Sequence, residues 1–349
     1  AITGEEKWRY IPDPATDGYN GCSVNPVTGD VYFGSSSSGL TALNANGAQI
    51  WKNTKVGVLK YGAFPAVSKD GNVVYVVDTG GNVFAINAST GTEIWKSTVT
   101  PMAKGGCGIY VYGDEIIVVC DKADAGVNFL KASDGSKLCE PLSVGHAPSE
   151  GGGMAVSPDK KYGYIGTADG YVLAIDLEKH SKITEIAVPD DIDTDTAPAT
   201  LWEMCVSPAG KIFGGTKRGT AFILTFSGSS FSMIYDGTGC PSWGVANAFN
   251  YAHPCSDAEG NFYVTTGGAK NQNYIFDPNG RITAQWSVLT SANQRAMAGN
   301  GYHNGVLYSI LVGAKGDNGA LVAKYVGGED ATTGWPCHGG NICGSCCIK

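Results

Sequence analysis

The sequence predicts an all-β protein: a seven-bladed β-propeller over residues 1–328, closed by the N-terminal strand, with a short Cys-rich C-terminal tail over 329–349. Three observations lead there. Residues 81–95, GNVFAINASTGTEIW, read as a hairpin. A glycine turn precedes the alternating strand Val83-Phe84-Ala85-Ile86; the turn Asn87-Ala88-Ser89-Thr90-Gly91 then reverses the chain into Ile94-Trp95. A copy, GLTALNANGAQIW, stands one unit upstream at 39–51. The tryptophans keep step: Trp51 and Trp95 are 44 residues apart, and Trp8 lies 43 before Trp51. One hairpin cannot bury both its faces, and a unit near 44 residues with four strand-like segments is the signature of a propeller blade.

Taken in order, the blades run over 20–55, 63–100, 106–144, 152–189, 202–236, 248–290 and 296–328. The third has Cys139 where a tryptophan would stand, and the fourth has a degenerate hairpin. The sixth ends in a strand over 281–286 that carries Trp286. The seventh supplies three strands. Residues 3–11, with Trp8 at the outer-strand position and no blade before them, are expected to complete it, because closure removes exposed sheet edges. Trp335, 49 residues after Trp286, is the alternative closing residue.

The pattern G-x-hydrophobic-x-Ala-x-Asn-x-x-x-Gly-x-x-x-Trp at 81–95, with its close copy at 39–51, resembles the tryptophan-docking repeat of the quinoprotein-like (PQQ-like) propellers. The resemblance implies that each repeat spans the two outer strands of a blade and that its tryptophan packs between neighbouring blades. It implies no single activity, since dehydrogenases, assembly scaffolds and binding proteins share the repeat. The PQQ dehydrogenases are longer and eight-bladed, and their cofactor-binding residues are not found here, so PQQ is not expected. The adjacent pair Cys346–Cys347 resembles the vicinal disulfide that covers the quinone in those enzymes, but it stands in the tail rather than an early blade loop.

A net charge of −8 argues against nucleic acid as a partner. No apolar run approaches the roughly 20 residues of a membrane helix. The Ala1 start and the eleven cysteines lead us to expect a processed chain in an oxidising, extracellular compartment, with several disulfides. The odd count leaves a free thiol or an intermolecular bond, the latter giving disulfide-linked self-association. Asn87-Ala88-Ser89 is a glycosylation sequon on a blade's outer turn.

In a propeller, the loops leading into each inner strand share the channel face, where ligands bind. These positions hold Asp17 and Tyr19, Lys60 and Tyr61, Lys104, His146 and Glu150, Trp202 and Glu203, Trp243 and Arg295. The candidate ligand set is therefore Tyr61, Lys104, His146, Glu150, Trp202, Glu203, Trp243 and Arg295, with aromatic faces for stacking and charges for orientation. His146 beside Glu150 is the pair suited to acid–base work. Asp191, Asp193 and Asp195 form a D-x-D-x-D run that could coordinate Ca²⁺, although Thr196 stands where an EF-hand needs glycine; an acidic solvated loop reads the same. Cys343 and Cys346 have a C-x-x-C spacing used by Zn and redox sites as well as by disulfides. The expected function is that of a secreted binding or scaffold protein with a protein, glycan or small polar ligand on the channel face. The alternatives are a small extracellular enzyme using the same mouth and a disulfide-linked structural subunit.

Overall fold

The computed structural model describes residues 7–11, 19–35, 39–59, 64–101, 108–149, 153–189, 200–241, 253–266, 272–287, 294–313 and 320–331. No helix occurs among them. The strands form seven antiparallel sheets, each built from consecutive strands.

One compact unit ends at Pro141. Its sheet 1 contains β1 (Tyr19–Val24), β2 (Val31–Ser35), β3 (Leu40–Leu43) and β4 (Gln49–Asn53). Sheet 2 contains β5 (Ala66–Val67), β6 (Val73–Val77), β7 (Asn82–Asn87) and β8 (Glu93–Thr98). Sheet 3 has three strands, β9 (Ile109–Tyr112), β10 (Glu115–Val119) and β11 (Val127–Lys131).

The second unit begins at Leu142. Sheet 4 contains β12 (Met154–Val156), β13 (Tyr162–Gly166), β14 (Tyr171–Asp176) and β15 (Ser181–Ala187). Sheet 5 contains β16 (Leu201–Val206), β17 (Ile212–Thr216), β18 (Ala221–Phe226) and β19 (Phe231–Tyr235). Sheet 6 contains β20 (Cys255–Ser256), β21 (Phe262–Thr265), β22 (Gln272–Phe276) and β23 (Ile282–Ser287). Sheet 7 has β24 (Gln294–His303), β25 (Val306–Gly313) and β26 (Ala320–Tyr325). Every sheet falls on one of the expected repeat spans.

Burial separates inner from outer strands. Val73–Val77, VVYVV, is apolar throughout and buried from its second residue on, because neighbouring sheets cover both its faces. Glu93–Thr98 buries only Trp95 deeply and leaves the residues on either side exposed, as a strand with one covered face does. Within each unit the first strands of successive sheets touch: β1 with β5, β5 with β9, then β12 with β16, β16 with β20 and β20 with β24. Sheets 1 and 2 share a core of Tyr32, Leu40, Trp51, Leu59, Val74, Phe84 and Ile86.

The tryptophans fix the packing in the first unit. The indole Nε1 of Trp51 donates to the Ala88 carbonyl at 2.9 Å, and that of Trp95 donates to Ala132 at 2.9 Å. Each acceptor lies 37 residues ahead, in the outer turn of the next sheet. The glycine of that turn gives the ring its seat. A Cβ on Gly91 (φ +71°) would lie 2.6 Å from the Trp51 ring, and one on Gly135 (φ +72°) 2.5 Å from that of Trp95.

Trp8 makes the same contact one unit earlier. Its Nε1 donates to Ala45 at 3.0 Å, again 37 residues ahead, and a Cβ on Gly47 would meet its ring at 2.5 Å. Tyr10 adds a hydrogen bond from its hydroxyl to Gln49 at 2.8 Å. The expected register of Trp8 is therefore observed, but the expected strand is not: residues 7–11 belong to no strand.

Three further expectations change. Sheet 3 lacks its fourth strand. After β11 the chain makes the single bridge Leu130–Lys137 and the bond from Leu138 N to Phe129 O (2.9 Å), then leaves the sheet. Cys139 supplies no indole to dock, and Pro141 has no N–H to continue a ladder. Trp286 lies on β23 but pairs with Asn273, two residues past the docking position, which Ala284 occupies. No disulfide joins any of Cys22, Cys120, Cys139, Cys205, Cys240 and Cys255, and Cys120, Cys205, Cys240 and Cys255 are buried. The other five cysteines, including all four of the tail, lie outside the described residues, as does Trp335.

Candidate functional site

Of the predicted mouth residues, Tyr61, Lys104, Glu150 and Trp243 lie outside the described residues, as do Asp17, Lys60 and the Asp191, Asp193 and Asp195 run. Arg295 is placed on β24 and Tyr19 on β1 by backbone. His146, Trp202 and Glu203 are fully described, and they fall in two clusters in the second unit.

The first cluster surrounds His146, in the segment that leads into sheet 4. Its Nδ1 lies 2.5 Å from Asp169 Oδ2, and its Nε2 lies 3.3 Å from Glu185 Oε2. The ring stacks on Tyr171 with centroids 4.0 Å apart. Lys182 Nζ donates to Glu185 at 2.5 Å and to the Val144 carbonyl at 2.7 Å. Partial burial opposes ionisation of Asp169, but hydrogen bonds from Thr167 and His146 outweigh it and hold the carboxyl below its usual range. The Lys182 hydrogen bond does the same for Glu185.

Both nitrogens of His146 thus face carboxylate oxygens, leaving neither for a substrate. The arrangement straps residues 144–146 to the outer strands of sheet 4. Glu150, the partner expected from sequence, lies outside the described residues. Asp169 and Glu185 were missed. Asp169 is 23 residues away, in the T-A-D-G turn between β13 and β14, where only tertiary pairing brings it back.

The second cluster lies on the first strands of sheets 5 and 6. The β16–β17 register shifts between Leu201 and Met204, so Trp202 and Glu203 sit in a bulge. Bulges re-aim side chains. Glu203 is 3% exposed, and its Oε2 lies 3.3 Å from His253 Nδ1, just before β20. The distance is that of an ion pair, but the chemistry is not. Burial pushes the Glu203 carboxyl well up and the His253 imidazole down to about 4, so it disfavours the charged form of each. The contact lacks hydrogen-bond alignment, and Glu203 Oε2 has no hydrogen-bond partner among the described residues. A buried oxygen left so costs about 1–3 kcal/mol. Sequence alone pointed to Glu203 but gave no sign of its pairing with His253.

Among the described residues, no group of three or more His, Cys, Asp or Glu side chains could hold a metal ion, and no helix is long and apolar enough to cross a membrane.

Successive antiparallel sheets whose first strands touch, and whose outer turns in the first unit seat the preceding tryptophan, define a β-propeller of PQQ-like repeats. Residues 36–279 match the family described as "Outer membrane protein assembly factor BamB", and the chain belongs to that PQQ-like family. Solved structures agree on the fold. BamB from Moraxella catarrhalis is 14% identical with a TM-score of 0.63, over 87% of this chain and 84% of that one. The C-terminal WD40 domain of Sif2 is 11% identical with a TM-score of 0.62, over 89% and 82%. The Cps50 (Swd1) β-propeller domain of Myceliophteria thermophila is 9% identical with a TM-score of 0.58, over 83% and 93%. No curated protein matches the sequence.

Proposed function

We propose that this chain is a binding or scaffold propeller working in an oxidising, extracellular compartment. Its seven sheets act as seven blades of one ring completed by the N-terminal segment. The partner, a protein or a glycan or other small polar ligand, is held on the channel face. The observation that carries this reading is Glu203. It is a buried carboxyl on a first strand, set in a bulge, with one oxygen accepting no hydrogen bond among the described residues. Such a cost calls for an explanation, and a ligand that offsets it supplies one. The channel face would add Tyr61, Lys104, Trp202, Trp243 and Arg295. Family membership supports the reading, because the protein named in the family's description is an assembly factor.

Native mass spectrometry of the protein purified from its source, before and after denaturation, tests it. A bound mass is expected, and Trp243→Ala and Arg295→Ala should lose it while keeping the wild-type unfolding midpoint. A wild-type protein that carries no bound mass, or variants that keep theirs, would contradict the channel-face site.

A further inference from the structure

We infer that Asn87 is a glycosylation site, its side-chain amide taking a carbohydrate from a lipid-diphosphate-linked sugar donor. The inference rests on the oxidising-compartment reading above, because that is where such donors meet a translocated chain.

Asn87 ends β7 and opens the turn into β8. Its Oδ1 accepts three hydrogen bonds, from Ser89 N (3.1 Å), Ser89 Oγ (2.9 Å) and Thr90 N (3.0 Å). The backbone pair is an Asx turn, and it explains the asparagine structurally. It does not explain the serine. Asn44 opens the equivalent turn of sheet 1 and accepts from Asn46 N (2.9 Å) and Ala48 N (3.1 Å) with no hydroxyl. Asp176 opens that of sheet 4, accepting from Glu178 N (3.1 Å) and Lys179 N (2.9 Å). The turn forms without a hydroxyl in both.

The Ser89 hydroxyl has a chemical consequence. Donating to Oδ1, it polarises the carboxamide. It also commits the oxygen to the turn, which leaves Nδ2 on the opposite side of the planar group. Asn87 Nδ2 makes no hydrogen bond among the described residues, so modifying it breaks none. Ser89 and Thr90 are exposed. The other side of the turn is the one that holds the fold: Ala88 O accepts from Trp51, and Gly91 seats the Trp51 ring. A bulky group on Nδ2 therefore leaves the docking contact in place. Among the described residues all the side-chain bonds of Asn87 lie within residues 87–90, so this geometry can form before distant sheets do.

In the transfer, a bond forms between Nδ2 and the anomeric carbon of the sugar. The anomeric C–O bond to the diphosphate breaks, the lipid diphosphate leaves, and Nδ2 gives up one proton to a base of the transferring enzyme.

The test has two arms. In one, the protein is purified from its source and treated with an amidase that releases N-linked glycans in heavy-oxygen water. Labelled aspartate at position 87 is expected in the peptide map. In the other, wild type, Asn87→Gln and Ser89→Ala are routed behind one secretion leader through a eukaryotic cell. Wild type should carry a glycan at Asn87 and both variants none, while Ser89→Ala unfolds at the midpoint of deglycosylated wild type. A secreted, folded wild type unmodified at Asn87 would overturn the inference. Glycan on the routed chain with none on the source protein would overturn the compartment reading while upholding the site.

Discussion

Sheets 1 and 2 seal their outer edges with Trp51 and Trp95, whereas sheets 4, 5 and 6 put Thr184, Tyr235 and Ala284 at the same register. In all five sheets the last two strands carry a bulge beside that position, the extra residue standing just before it on the last strand. The backbone device is thus constant while the side chain varies. The indole adds a large apolar face and a short hydrogen bond to a carbonyl that also accepts, at 3.4 Å, from a tyrosine hydroxyl, Tyr32 at Ala88 and Tyr75 at Ala132. Without it, other contacts take over. The Tyr235 ring packs against Gly280 so closely that a Cβ there would lie 2.3 Å away. Trp286, displaced by two residues, packs with Cys255, Tyr263, Tyr302 and Leu307 and takes Lys324 Nζ over its ring at 3.9 Å. The blade geometry, then, is set by strand pairing and bulge, and the tryptophan strengthens it rather than creating it.

The sharpest way to break this comparison is truncation. Trp51→Ala and Trp95→Ala should each destabilise by about 3–5 kcal/mol, and Tyr235→Ala, whose ring is less buried, by clearly less. Denaturant midpoints at equal slope decide the matter; equal losses at all three sites would mean that the indole dock is not special.

The seat under the ring gives a second, smaller contrast. Gly91→Ala adds a Cβ 2.6 Å from Trp51 at φ +71°, whereas Gly113→Ala, at φ +57°, meets nothing within 4 Å. The Gly113 variant should show only left-handed backbone strain, about 1–2 kcal/mol. Gly91→Ala should exceed it, and in the double variant with Trp51→Ala the excess should disappear, as a double-mutant cycle would show.

The buried pair of the second unit differs from the docked aromatics in being sensitive to pH. Glu203 is raised above its ordinary 4.5, so the folded state holds its proton more tightly, and stability falls as pH rises past that value. His253 is lowered from 6.5 to about 4, so the unfolded state binds the proton, and stability rises across that window. The two trends oppose each other between about 4.5 and 6.5, each at no more than ~1.4 kcal/mol per pH unit. Glu203→Gln should remove the falling trend and so steepen the rising limb of midpoint against pH between about 4.5 and 6.5. An unchanged limb would mean that Glu203 titrates normally.

The smallest effect belongs to Asp169, which is more exposed. Its lowered carboxyl contributes stability above its ordinary 3.8 that is lost as pH falls through the folded value. Asp169→Asn should therefore weaken the protein near neutrality and shallow the acid limb, read from the same titration.

The sequence by itself determined the sheets. Glycine turns, alternating strands and a spacing near 44 residues are local signals, and they located all seven sheets, because strand and turn propensities act over a few residues. The docking of Trp8, Trp51 and Trp95 was also legible, since a repeat fixes what lies 37 residues ahead. Tertiary structure alone decided the rest. It left residues 7–11 out of any strand while keeping Trp8 docked, and it ended sheet 3 at Leu138. It gave His146 the partners Asp169 and Glu185, and Glu203 the partner His253. These choices depend on pairing register and on burial from both sides, and residues distant along the chain meet only once the strands that carry them have paired and packed.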